Sequence, residues 1–215
     1  VGIDEVNLKR AVFLDRDGVL NCNVLNPATG EYESPGKAED FKLCPNVMPA
    51  LCDLREAGFS LFLVSNQPNF AKGKSTLEDL RAVHSRLVAA LQAAGVGFAD
   101  YYYCFHHPQG KAEGYSGRCE CRKPSPYFLM KARDAFGVSL AHSWMVGDRA
   151  TDIACGIAAG AKTIRVKEDH PATRAANEPK ADFEAADLAG AAEIIVGAAV
   201  SPINHVSNQS CSASP

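Results

Sequence analysis

Two aspartates one residue apart, Asp15 and Asp17, end the apolar run Ala11-Val12-Phe13-Leu14 and are followed by Gly18. A single aspartate there would serve as a turn residue through its own side chain. Two carboxylates side by side repel each other and call for a cation or a shared proton. A carboxylate needs no base to act as a nucleophile at neutral pH, so Asp15 can attack phosphorus and carry the phosphoryl group as an aspartyl-phosphate. Asp17 can protonate the leaving oxygen and then deprotonate the water that hydrolyses the intermediate. Two later apolar runs also end in polar residues, one in Ser65-Asn66-Gln67 and one in Gly147-Asp148. Ser65 brings a hydroxyl for phosphate oxygens, and Lys123, where a loop meets Pro124, brings fixed positive charge. Asp148 adds an oxygen ligand for a hard dication, and Mg²⁺ fits that donor set. Each of these residues alone has an ordinary reading as a turn, a strand end or a solvated lysine. Together and in this order they supply what phosphoryl transfer requires: nucleophile, proton donor and positive charge around the oxygens.

A second cluster lies between these residues. Cys104-Phe105-His106-His107-Pro108 is followed, across a loop containing Gly110, Gly114 and Gly117, by Cys119-Glu120-Cys121. Three thiols and an imidazole at this spacing suit a closed, tetrahedral, structural Zn²⁺ site. Such a site would pin a glycine-rich loop and hold Arg122 and Lys123 beside the aspartates. Either histidine can be the ligand on chemistry alone; His107 precedes Pro108 and so sits in a constrained, extended segment. The five other cysteines, Cys22, Cys44, Cys52, Cys155 and Cys211, are scattered and read as small buried hydrophobes or incidental surface thiols.

The elements that must position these residues alternate. After the Asp15 strand, Cys22 to Leu43 carries turn signals and reads as a loop or short hairpin. Pro45 opens a helix to about Ala57, stopped by Gly58, and Phe59 to Val64 is a strand. Ser75 and Glu78 form a capping box for a leucine-rich helix that Gly95 closes. His84 on that helix reads as a surface or hydrogen-bonded histidine, because no ligand-type residue lies one turn away. Asp100 to Phe105 is an aromatic strand, Pro126 to Phe136 a helix, Trp144 to Val146 a strand, Thr151 to Ala159 a helix and Lys162 to Val166 a strand. Strand–helix alternation predicts an α/β fold: a Rossmann-like open parallel sheet with helices on both faces. In such sheets ligands bind beyond the carboxyl ends of the strands, so Asp15, Asp17, Ser65 and Asp148 should converge there.

The 215 residues suit one domain, expected over 1–197, with a Ser/Asn/Pro-rich tail over 198–215 expected to be disordered. A net charge of −3 without a basic run argues against nucleic acid as the main partner. No apolar stretch approaches the roughly 20 residues of a membrane span, and the charged N-terminus does not read as a signal peptide. A cytoplasmic monomer with a small phosphorylated partner is the expectation.

The strings Phe13-Leu14-Asp15-Arg16-Asp17-Gly18, Val64-Ser65-Asn66-Gln67, Arg122-Lys123-Pro124 and Val146-Gly147-Asp148-Arg149-Ala150-Thr151-Asp152 resemble the four motifs of the haloacid dehalogenase (HAD) superfamily phosphatases. The resemblance implies Asp15 as nucleophile, Asp17 as general acid and base, and Ser65 and Lys123 on the phosphate. It also implies Mg²⁺ held by the Asp15 side chain, the Asp17 main-chain carbonyl and Asp148, with Asp152 in support. The cysteine/histidine loop, without a large cap domain, is similar to the zinc-loop subfamily of heptose-bisphosphate phosphatases, near relatives of the histidinol-phosphate phosphatases. That subfamily pattern implies Cys104, His106, Cys119 and Cys121 as zinc ligands, and Asn66 and Arg122 as contacts to the sugar or its second phosphate. It implies removal of the 7-phosphate of D-glycero-D-manno-heptose 1,7-bisphosphate, in heptose supply for bacterial surface polysaccharide. Histidinol phosphate or another small phosphorylated metabolite is the alternative substrate, and an inactive binding module the non-enzymatic alternative. Two departures bear on the substrate: Phe105 stands where the subfamily often has proline, and Asn69-Phe70-Ala71-Lys72-Gly73 where it often has Gly-Ile-Ala-Arg-Gly.

Overall fold

The computed structural model describes residues 8–27, 30–167 and 177–200. Strand β1 (Arg10–Leu14) lies between β4 (Phe59–Asn66) and β6 (Trp144–Gly147); β5 (Asp100–Cys104) flanks β4, and β7 (Lys162–Val166) and β8 (Phe183–Ala185) extend the other side. All five pairings in this six-stranded sheet are parallel. Strand order therefore runs outward in both directions from β1, which makes the end of β1 the switch point of the sheet. A separate antiparallel ribbon, β2 (Val24–Leu25) with β3 (Tyr32–Glu33), forms the short hairpin expected after Cys22.

Both sheet faces are covered, and the strands record it residue by residue. Val12 and Leu14 of β1, with Leu61 and Leu63 of β4, pack into a core with helices α1 (Val47–Glu56), α2 (Leu77–Ala93) and α5 (Leu188–Val200). Ala11 and Phe13, with Phe62 and Val64, turn to the opposite core, shared with α3 (Tyr127–Phe136) and α4 (Ala150–Ala159). Continuous apolar strands are what a sheet buried on both sides requires.

Several boundaries differ from expectation. Pro45 lies outside α1, whose N-cap is Asn46 in the left-handed conformation (φ 58°). The capping box of α2 is Thr76 with Asp79, one residue beyond Ser75 and Glu78: Thr76 Oγ1 accepts from the Asp79 amide at 3.0 Å, and the Asp79 carboxylate accepts from the Thr76 amide at 3.0 Å. Strand β8 and helix α5 were not anticipated. Helix α5, Leu-Ala-Gly-Ala-Ala-Glu-Ile-Ile-Val-Gly-Ala-Ala-Val, is small and apolar nearly all round, so it lacks the polar face that reveals a helix. It buries Leu188, Ala191, Ala192 and Ile195. The expected tail lies outside the described residues from 201 onward, while 198–200 complete α5. No helix among the described residues is long and apolar enough to cross a membrane.

Candidate active site

Register delivers the first aspartate. Leu14, the last residue of β1, pairs with Leu63 on one side and Val146 on the other, and the Asp15 amide donates to the Val146 carbonyl at 3.0 Å. Asp15 therefore leaves the sheet level with the ends of β4 and β6, where Ser65 and Asp148 emerge. Asp15, Asp148 and Asp152 bring carboxylate oxygens within 4.8 Å of one another, all buried. Asp152 reaches the group from the first turn of α4, where its carboxylate also accepts from the Arg149 amide at 2.9 Å. Neither Gly147 nor Gly18 can carry a side chain here: a Cβ on Gly147 would collide with Asp152, and one on Gly18 (φ +80°) with the Asp148 carboxylate.

Lys123 answers part of this negative charge. Its Nζ stands 2.8 Å from Asp15 Oδ1 and 2.7 Å from Asp152 Oδ1, and donates to the Val64 carbonyl at 2.7 Å. Burial works against its charge, but Asp15 and Asp152 outweigh that and hold its pKa above the usual lysine value. Asp148 gets weaker relief, from Arg149 Nε at 4.0 Å. Burial, then repulsion from Asp152 and Asp15, pushes its carboxyl well above the usual range, and its Oδ1 is buried without a hydrogen-bond partner. Asp152 is likewise pushed up, by burial first, with Lys123 opposing. An orphaned carboxylate oxygen facing two further carboxylates is the donor set of a hard dication, and Mg²⁺ fits it.

Asp17 stands apart from that trio. Its Oδ1 accepts from Arg16 Nε (3.0 Å) and Asn21 Nδ2 (3.0 Å); its Oδ2 accepts from Gln67 Nε2 (2.6 Å) and Arg16 Nη2 (3.3 Å). Gln67 also donates to Ser65 Oγ at 2.9 Å and accepts from Arg16 at 2.8 Å. All three side chains that orient Asp17 and Ser65 in this way are buried. The sequence alone assigns no role to Arg16, Asn21 or Gln67. The one signal available was position: Arg16 sits between two site residues on an alternating chain, and so had to point into the protein.

The second cluster is also assembled. Cys104 Sγ and Cys121 Sγ each lie 3.6 Å from Cys119 Sγ, and His106 Nδ1 lies 3.6 Å from Cys121 Sγ and 3.9 Å from Cys104 Sγ. Ligands about 2.3 Å from a tetrahedral zinc ion stand about 3.8 Å apart, so the four donors fit that ion. Burial raises the Cys104 and Cys121 thiols; for Cys119 hydrogen bonds from Cys121 and Cys104 overcome burial and lower it. His107 turns away, its Nδ1 accepting from the Gln109 amide at 3.1 Å. The loop docks on the segment after β4: Tyr115 packs edge-on against Phe70, and the Lys111 amide donates to the Ala71 carbonyl at 2.6 Å. It leads directly into Arg122 and Lys123.

Asn66 lines the cavity, yet its amide is engaged with Lys123: Oδ1 accepts from the Lys123 amide and Nδ2 donates to its carbonyl, both at 3.1 Å. Arg122 donates to the His106 carbonyl at 3.1 Å and also lines the cavity. That cavity holds about 740 Å³. Asp15, Asp17, Asp148 and Asp152 contribute to its wall together with Lys72, Lys74, Lys123, Arg122 and Arg149, and the β2–β3 hairpin borders it.

Comparison with known proteins agrees with this geometry. Residues 120–191 match the HAD-hydrolase-like family model. The chain is 34% identical over 180 residues to the D-glycero-beta-D-manno-heptose-1,7-bisphosphate 7-phosphatase of Escherichia coli K12, covering 83% of this chain and 90% of that protein. It is 36% identical over 166 residues to the enzyme of the same name from Vibrio cholerae, covering 77% and 85%. The crystal structure of D,D-heptose 1,7-bisphosphate phosphatase from B. bronchiseptica, complexed with magnesium and phosphate, superposes with a TM-score of 0.73 at 26% identity, covering 88% of this chain and 99% of that one. The chain belongs to the HAD-like phosphatases, in the family that contains these heptose-bisphosphate 7-phosphatases.

Proposed function

We propose that this phosphatase removes the 7-phosphate of D-glycero-D-manno-heptose 1,7-bisphosphate through an aspartyl-phosphate on Asp15. The observation that carries the reading is the cavity itself: a carboxylate cluster with one buried lysine, and further cations along the same wall. The 7-phosphate sits against Asp15, whose approach to phosphorus is fixed by the main-chain bond to Val146. Lys123 holds the phosphoryl oxygens, its own position set by Asp152 and by the Asn66 clamp on its main chain. Ser65 donates its hydroxyl to a phosphate oxygen while accepting from Gln67. Asp17 passes a proton to the leaving oxygen and then takes one from water. Arg122, with Lys72 and Arg149 on the same wall, grips the second phosphate; a guanidinium does so in bidentate fashion. Asp15, Asp148 and the Asp17 main-chain carbonyl would hold Mg²⁺, which would supply charge neutralisation letting two anions meet. Cys104, His106, Cys119 and Cys121 would hold a structural Zn²⁺. The chain is proposed to work as a cytoplasmic monomer, with neither nucleic acid nor membrane as partner.

The test is a rate comparison across phosphorylated sugars and histidinol phosphate. Heptose 1,7-bisphosphate is expected to be hydrolysed far faster than histidinol phosphate. The reverse ranking removes the substrate reading and leaves the aspartyl-phosphate mechanism to be judged separately by Asp15→Asn, which should abolish hydrolysis with fold and zinc retained.

A further inference from the structure

Cys22 and Cys44 are far apart in the chain and outside both metal clusters, yet their Sγ atoms lie 3.1 Å from one another. Both are half-buried. The main chain holds them there: Asn21 and Leu43 form an antiparallel bridge, the Cys22 amide donates to the Lys42 carbonyl at 2.9 Å, and the Cys44 amide donates to the Leu20 carbonyl at 3.0 Å. A disulfide needs a sulfur–sulfur distance of about 2.05 Å, so closure asks for roughly 1 Å of movement. Two features give such a bond consequences. Cys22 follows Asn21, whose side chain donates to Asp17 Oδ1 at 3.0 Å and to the Cys22 carbonyl at 3.2 Å. The segment between the two cysteines also contains the β2–β3 hairpin, whose residues Glu31 to Ser34 border the cavity.

We propose that Cys22 and Cys44 are a reversible disulfide pair whose closure draws Asn21 off Asp17 and tethers the hairpin beside the cavity, slowing turnover. The oxidant is a small-molecule disulfide such as oxidised glutathione. One cysteine, as thiolate, attacks it, forming a mixed disulfide and releasing one glutathione thiolate. The second cysteine loses its proton to solvent and attacks the protein-bound sulfur, releasing the second glutathione thiolate. Two protein thiols are oxidised by two electrons, and one glutathione disulfide is reduced to two thiols. The reverse exchange with excess thiol restores Cys22 and Cys44.

The effect on turnover rests on the role proposed for Asp17; formation of the bond does not. The full-length, zinc-loaded chain is incubated with oxidised glutathione, alkylated and mapped by mass spectrometry, with hydrolysis of para-nitrophenyl phosphate followed in parallel. The expected result is a Cys22–Cys44 cross-linked peptide, absent from Cys44→Ser. A fall in rate of about tenfold or more should accompany it, in keeping with the roughly 100-fold cost of a 1 Å misplacement near the chemistry. The fall should be reversed by dithiothreitol and be missing in Cys44→Ser. Separate glutathionylation or free alkylation of the two thiols, without a cross-link, overturns the proposal. So does a cross-link that leaves the rate unchanged, or a rate loss that persists in Cys44→Ser. If the reduced protein hydrolyses no phosphate ester at all, the functional reading fails, while the mass map still decides whether the bond forms.

Discussion

Lys123 Nζ stands 2.8 Å from Asp15 Oδ1 and 2.7 Å from Asp152 Oδ1, joining the first and last motif aspartates through one buried ammonium. The lysine neutralises carboxylates in the folded protein, and its proposed second job, holding phosphoryl oxygens during reaction, can be separated from the first. Lys123→Met leaves two buried carboxylates without their counter-charge, and breaking such a pair costs about 3–5 kcal/mol of stability. It should also lower kcat by about 10²–10³, the scale of losing one fixed donor to developing charge. Adding Asp152→Asn to Lys123→Met should recover part of the stability, measured by urea unfolding, and none of the rate. Recovery of both together would make Lys123 a purely structural residue.

The orientation of Asp17 gives a second prediction. Gln67 bridges Asp17, Arg16 and Ser65, and it is wholly buried, so it has no route to the sugar. Gln67→Leu keeps much of the side chain's bulk and removes all three bonds. The expected result is a fall in kcat of about 10–100-fold, below the full worth of a general acid and base, with KM within about threefold. A raised KM at unchanged kcat would place Gln67 on the substrate instead.

What could be read in the chain, and what could not, follows from how local each signal is. Asp15, Ser65 and Asp148 each end an apolar run, and parallel α/β topology alone brings such ends together. The zinc-type cluster was legible because its donors are close in sequence. Arg16, Asn21 and Gln67 were not, because their value comes from contacts made across the sheet edge after folding: Gln67 meets Asp17 fifty residues away. Asn66 read as a sugar contact, while its amide is seen clamping the main chain of Lys123, a relation invisible until β4 and the zinc loop meet. The shift of the helix cap from Ser75 to Thr76 is of another kind, since two adjacent hydroxyl residues with acids three positions on are equivalent to any local rule.

His84 offers a test by pH. Its Nδ1 pairs with the Tyr103 hydroxyl at 2.9 Å, beside a cavity of about 150 Å³ that Arg16, Arg81, Tyr101 and Tyr103 also line. Burial, and after it the charge of Arg16, lowers its pKa below the ordinary value near 6.5. The unfolded chain therefore takes up a proton at this histidine before the folded one does. At pH above about 6.5 both states are neutral there and nothing is lost; as pH falls through that value the unfolded state gains, and stability declines. His84→Gln should flatten that part of the stability profile. Parallel urea midpoints for the two proteins between about pH 8 and about pH 5 would show that His84 carries no such linkage.

The zinc-type cluster and Lys123 are joined through one residue, since Cys121 is followed by Arg122 and Lys123. Removing the ion should therefore act on catalysis through position. Treatment with a zinc-selective chelator, followed by excess Mg²⁺, is expected to leave the chain largely inactive; returning Zn²⁺ should restore it, and elemental analysis should find about one zinc per chain before treatment. Amide exchange should speed up across 104–121 and reach the Lys123 amide, which Asn66 holds at 3.1 Å. Exchange at β1, which pairs only with β4 and β6, should change little. Full activity in the zinc-free chain would separate the loop from the chemistry and leave Asn66 and Asp152 sufficient to hold Lys123 in place.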